Sequence, residues 1–150
     1  SILVVQNNLA GSYRSLGRLD DCLRTQRDVY SGRLKLNGEE HEMTLRAANN
    51  YAMLLSTLRR FEEAKRVLRK VASVARRVLG AEHALSLSLR EDLSRATLDG
   101  DSSGNEKRQA LQMLEDTVVV MRRVLGPAHP DVLRAQRKLE GYRKEIPPAA

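Results

Sequence analysis

Asn49-Asn50-Tyr51-Ala52 decides the reading of this chain, because Asn7-Asn8-Leu9-Ala10 precedes it by 42 residues and Glu91-Asp92-Leu93-Ser94 follows it by 42. A second marker keeps the same beat. Gly38-Glu39-Glu40-His41 returns as Gly80-Ala81-Glu82-His83 after 42 residues and as Gly126-Pro127-Ala128-His129 after 46. Self-similarity at this period marks a stacked array, in which each unit buries its apolar face only against its neighbours.

Composition agrees with an array of helices. The apolar share is 41%, enough to fold 150 residues, yet aromatics make up 3% and Trp is absent. Leu, Val and Ala must therefore build the core, which suits close helix packing better than strands. The one cysteine, Cys22, cannot form an internal disulfide, and its slot recurs as Ala64 and Ala110, so a small packed residue is expected there. This cysteine usage and the absence of glycosylation sequons point to a cytoplasmic setting. The longest apolar runs, 2–5 and 118–121, are far shorter than the roughly 20 residues that cross a bilayer. Neither a membrane span nor a signal peptide is expected.

Seven helices follow from periodicity and punctuation. They are predicted at 2–16, 19–37, 41–57, 60–79, 83–98, 107–125 and 130–145, with Gly38 and Gly80 ending two of them and Pro130 opening the last. The segment Asp99-Gly100-Asp101-Ser102-Ser103-Gly104-Asn105 carries the four extra residues of the third unit and reads as the most flexible loop. The expected fold class is all-α, a superhelix of antiparallel helix pairs. Its units are 1–38, 39–80 and 81–126, then a final helix at 130–145, with 147–150 as a tail. No turn of the Gly-x-x-His type precedes the first helix. That suggests a piece of a longer protein, with Ile2, Val4 and Val5 facing a missing neighbour and prone to self-association.

The side-chain pattern adds a resemblance. Leu9, Ala10, Tyr13, Gly17, Leu19 and Cys22 in the first unit, and Tyr51, Ala52, Leu55, Phe61 and Ala64 in the second, fall at signature positions of tetratricopeptide repeats. With the Leu-Gly-x-x-His-x-x-x-Leu segments at Leu79, Gly80, His83, Leu87 and at Leu125, Gly126, His129, Leu133, the chain resembles the long repeats of kinesin light chains. Arg59 departs from the pattern by replacing the turn glycine of the second unit, and Glu91-Asp92 by replacing Asn-Asn in the third. The resemblance implies a right-handed α-α superhelix whose first helices line a concave groove, and a non-catalytic scaffold that holds a protein or extended peptide.

On that implied surface lie Asn7, Asn8, Arg14, Arg46, Asn49, Asn50 and Met53 early, Glu91, Asp92 and Arg95 in the middle, and Arg134, Arg137 and Lys138 late. Side-chain amides can both donate to and accept from an extended backbone. The two basic ends match an acidic or mixed-charge peptide.

Other chemistry is weaker. His41, His83 and His129 occupy the same turn of successive units. Packed helices stand about 8–10 Å apart, too far for one metal ion to gather ligands at about 2.1 Å, so a structural turn role is expected. Asp99, Asp101, Ser103 and Gly104 imitate the start of a calcium loop, but its twelfth position is Ala110 instead of a bidentate Glu. No triad or phosphate loop is visible, and no cofactor or metal is called for. The net charge of +7 raises nucleic-acid binding as the alternative, through the helix at 60–79. There Lys65, Arg66, Arg69, Lys70, Arg76 and Arg77 are expected to point outward, without aromatics among them to stack bases.

Overall fold

The computed structural model describes residues 18–148. Six helices follow one another there: α1 (Leu19–Asn37), α2 (Glu42–Thr57), α3 (Phe61–Leu79), α4 (Ala84–Asp99), α5 (Gly104–Leu125) and α6 (Pro130–Glu145). The helix predicted at 2–16, with its self-association through Ile2, Val4 and Val5, lies outside the described residues. Among these, every helix packs on the next, and α2 also touches α4 directly. That is the contact pattern of a solenoid.

Each turn of the array is built by the same few residues. Gly38, Gly80 and Gly126 end α1, α3 and α5 with φ of 83°, 96° and 97° and extended ψ, a region open essentially only to glycine. Three residues later a histidine caps the next helix: Nδ1 of His41, His83 and His129 accepts the backbone N–H of Met43, Leu85 and Asp131, each at 3.1 Å. An accepting Nδ1 puts the ring proton on Nε2 in the neutral imidazole. In His83 that nitrogen faces Glu42 Oε1 at 3.4 Å. The histidines are thus spent on helix starts, as expected for turn residues. His83→Ala should lose about 0.5–2 kcal/mol of stability by leaving the helix N–H unpaired. His83→Asn, which can still cap, should recover most of it in urea melts; equal losses from both would refute the capping role.

Acidic residues of these turns reach the neighbouring unit. Arg77 at the end of α3 donates to Glu40 at 2.7 Å, and Arg123 at the end of α5 donates to Glu82 at 2.6 Å. Both pairs are exposed and contribute little energy. Their value is that the same contact recurs one unit along.

The core runs as two adjoining patches. Cys22, Leu45, Ala52, Leu55, Ala64, Leu68, Ala75, Leu85 and Leu89 belong to the first. Leu87, Leu98, Leu114, Val118, Met121, Val132, Ala135 and Leu139 belong to the second. Helix α4 feeds both, because it is sandwiched between units and needs apolar residues on two sides. Tyr51, from the repeated stretch, is half-buried and stacks on Tyr30 with ring centroids 6.2 Å apart.

Three expectations need correction. The segment after α4 is neither long nor loose. Helix α5 begins at Gly104, where Ser103 Oγ accepts the Glu106 N–H at 3.1 Å and donates to Glu106 Oε1 at 3.3 Å, a side-chain N-cap with capping-box spacing. Gly100 is buried, and a Cβ there would meet Ala96 O at 2.9 Å and Phe61 Cβ at 3.0 Å. Close backbone approach, not flexibility, explains that glycine. Second, Lys65 does not point outward. It is 2% exposed, at the position where the first and third units carry Leu23 and Leu111, and its ammonium reaches Glu62 at 2.6 Å and Ser102 at 3.4 Å. The aliphatic stem packs like leucine while the charge finds the helix surface and the loop. Third, the sequence spacing of Val67, Leu68, Val71, Val74, Ala75 and Val78 predicts a continuous apolar stripe on α3, but it stops short, since Val78 is 39% exposed.

Arg59 supplies the turn that glycine makes elsewhere in such repeats. Its φ is 61°, the only positive value on a non-glycine among the described residues, and its guanidinium lies 5.4 Å from the Phe61 ring centroid. The ring contact offsets part of the left-handed strain.

Candidate functional site

Helices α2, α4 and α6 are the ones that start at a histidine cap; α2 touches α4, and Tyr142 of α6 bonds Asp99 of α4. On α2, Arg46, Asn49, Asn50 and Met53 recur at three- and four-residue spacing and so form one stripe. Arg46, Asn50 and Met53 are exposed, and Asn49 is half-buried with its Oδ1 enclosed and lacking a hydrogen-bond partner. Arg46 stands 3.7 Å from Glu42 one turn back. Asn7, Asn8 and Arg14 lie outside the described residues.

The corresponding stripe of α4 is deeper. Glu91, expected on the surface, is only 4% exposed, and Asp92 and Arg95 are half-buried. Glu91 holds the same position in its unit as Asn49, and both turn an oxygen inward that finds no hydrogen-bond partner. Arg95 approaches Glu91 at 3.8 Å and Asp92 at 3.9 Å, too long for strong charge-assisted bonds. Burial, with the neighbouring Glu91 charge, pushes the Asp92 carboxyl up to about 7. Burial also raises Glu91, against the pull of Arg95 and Arg134.

On α6, Arg134, Arg137 and Lys138 are all exposed. Arg134 is tied to Asp131 at 2.7 Å. Farther along, Tyr142 donates to Asp99 Oδ1 at 2.7 Å, which fixes the end of α4 against α6; burial and this bond to a carboxylate push the phenol above its ordinary range.

Between the α2 and α4 stripes is a pocket of about 170 Å³ lined by Met53, Ser56, Thr57, Asp92, Arg95, Ala96 and Asp99. The structure therefore brings Met53, Asp92 and Arg95 together and leaves Arg137 and Lys138 outside this pocket. Sequence reasoning missed Ser56, Thr57, Ala96 and Asp99. Extending each stripe by one turn, from Met53 to Ser56 and Thr57 and from Arg95 to Asp99, is the signal that finds them.

The opposite, basic surface of α3 is partly neutralised. Lys65 is buried against Glu62, and Arg60 and Arg77 are paired with Glu63 and Glu40. Arg66, Arg69, Lys70 and Arg76 remain exposed. Among the described residues no group of three or more His, Cys, Asp or Glu side chains could hold a metal ion, and no helix is long and apolar enough to cross a membrane.

Known proteins resemble the chain in sequence and fold. A tetratricopeptide repeat model matches residues 1–77, and a second matches residues 103–131. Among solved structures, a putative kinesin light chain from Podosopora anserina with nearly identical TPR-like repeats superposes with a TM-score of 0.80 at 23% identity, covering 96% of this chain and 69% of that one. BtubC (BKLC) from P. vanneervenii superposes with a TM-score of 0.62 at 19% identity, over 99% of this chain and 66% of the other. No curated protein matches the chain.

Proposed function

Because the chain belongs to the tetratricopeptide repeat family, whose fold serves protein interaction, we propose that it holds an extended peptide along the face shared by α2, α4 and α6. The observation that carries this reading is the continuous polar stripe. Asn50 and Met53 are exposed on α2, Met53 lines the pocket against α4, and Arg134, Arg137 and Lys138 are exposed on α6. Nothing in the role requires covalent chemistry, so the scaffold acts without catalysis. Units at 39–80 and 81–126, a preceding unit at 1–38 and a closing helix at 130–145 divide the work, with Asn7, Asn8 and Arg14 extending the surface toward the N-terminus. A cytoplasmic setting suits the single, buried Cys22.

Asn50 is the amide placed to grip a peptide backbone. Its truncation to alanine should weaken peptide binding by about 1–3 kcal/mol, because the peptide's polar groups are left unpaired. The melting temperature should stay put, since Asn50 is exposed. Peptide-array mapping followed by titration of the best binders measures the first quantity, and thermal denaturation the second. A destabilised Asn50→Ala that binds normally once folded refutes the reading.

A further inference from the structure

The pocket between α2 and α4 is short of positive charge. Met53, Ser56, Thr57 and Ala96 give it neutral walls, Asp92 and Asp99 bring carboxylates, and Arg95 is the one cation lining it. Behind that wall the Glu91 carboxylate is buried, and both its Oε1 and Arg95 Nε lack hydrogen-bond partners. The packed elements do not close the deficit. From α6, Arg134 is held by Asp131 and Tyr142 contributes a neutral hydroxyl to Asp99, while α2 places no charged side chain in the pocket. Arg134 still draws on Glu91 and Asp92 from outside the pocket, but it brings Asp131 with it, so two guanidiniums serve four carboxylates.

We propose that this pocket receives a lysine or arginine side chain of the bound peptide, with Asp92 and Asp99 meeting its charge and Met53 covering its aliphatic stem. The inference rests on the groove reading and refines it. The partner has a basic residue at its centre and acidic residues toward Arg46 on one side and Arg137 and Lys138 on the other. A long basic side chain suits a site that sets the exposed Met53 beside the half-buried Asp92 and the exposed Asp99. Carboxylates already gathered there form charge-assisted bonds to the incoming group, which replaces the proton that Asp92 otherwise takes up near neutral pH. Binding is then linked to proton release: with Asp92 titrating at about 7, apparent affinity should be about tenfold higher at pH 8 than at pH 6.

The test is an NMR titration of the whole chain with N-acetyl-lysine N-methylamide, with the norleucine and glutamate amides as matched probes. Amide resonances of Ser56, Asp92, Arg95 and Asp99 report the pocket. The expected result is that the lysine probe alone shifts them, about tenfold more tightly at pH 8 than at pH 6. In Asp92→Asn the probe should bind weakly and without that pH dependence, and Asp99→Asn should weaken it independently. Equal shifts from norleucine, silence with the lysine probe, or an unchanged response in Asp92→Asn overturns the proposal. If array peptides still bind an Asn50-dependent groove while the pocket ignores lysine, this inference alone fails. If no array peptide binds, the groove reading fails, and the probe still decides what the pocket accepts.

Discussion

Leu68→Ala is expected to cost about 2–5 kcal/mol of folding free energy, the range for emptying a sealed leucine site. Leu68 is 1% exposed and lies in the patch shared by α1 through α4, flanked by Leu55, Ala64, Val71 and Ala75. Helices held on two sides have little freedom to collapse into the gap, so the upper half of the range is favoured. Leu114→Ala is the matched control: Leu114 is 0% exposed but belongs to the second patch, of α4 through α6. Urea denaturation separates two possibilities for the array. If α4 couples the patches into one cooperative unit, both variants shift a single transition with unchanged slope. If the coupling is weaker than the loss, Leu114→Ala splits the transition, with the C-terminal helices melting first. A cost below about 1 kcal/mol for Leu68→Ala contradicts the packing described here.

Helix order was legible because the repeat states it more than once. Gly38, Gly80 and Gly126 sit three residues before His41, His83 and His129, and each glycine proves to end a helix whose successor the histidine caps. The start of α5 was misplaced because Asp, Ser and Gly between 99 and 105 read as turn chemistry. The pair Ser103 and Glu106, with capping-box spacing, was the better signal. Lys65 was misread because charge on an amphipathic helix normally faces water. Only alignment with Leu23 and Leu111 exposes its inward position. Glu91 shows a subtler limit. The period places it with Asn49, whose own carbonyl oxygen turns inward, but a sequence does not reveal how closely neighbouring helices cover that position. Pockets belong to pairs of helices, so Ser56 and Asp99 became neighbours only once α2 and α4 were seen to touch.

The depth of the α4 stripe has a consequence for stability that separates it from the exposed stripe of α2. Asp92 titrates at about 7 in the folded chain, well above its ordinary value of 3.8, because burial penalises the carboxylate and Glu91 repels it. Between those values the folded state binds more protons than the unfolded state, so stability falls as pH rises. The stabilising contribution of the bound proton is fully present below about pH 4 and is lost as pH passes about 7. At about 1.36 kcal/mol per pKa unit the whole effect is bounded near 4 kcal/mol; partial exposure and coupling to Glu91 reduce the expected figure to about 1–3 kcal/mol. Asparagine is the residue that the 42-residue period puts at the equivalent position, as Asn50, and it cannot ionise. Asp92→Asn should therefore be more stable than the parent by about 1–3 kcal/mol at pH 8 and nearly equal to it at pH 4. Urea melts of both proteins across that interval give the difference directly, the release of Glu91 from its coupling to Asp92 being included in it. A variant that loses stability at pH 8 would mean that the ionised Asp92 gains more from Arg95, at 3.9 Å, than burial costs it, and the charge deficit assigned to the pocket would then be compensated from within.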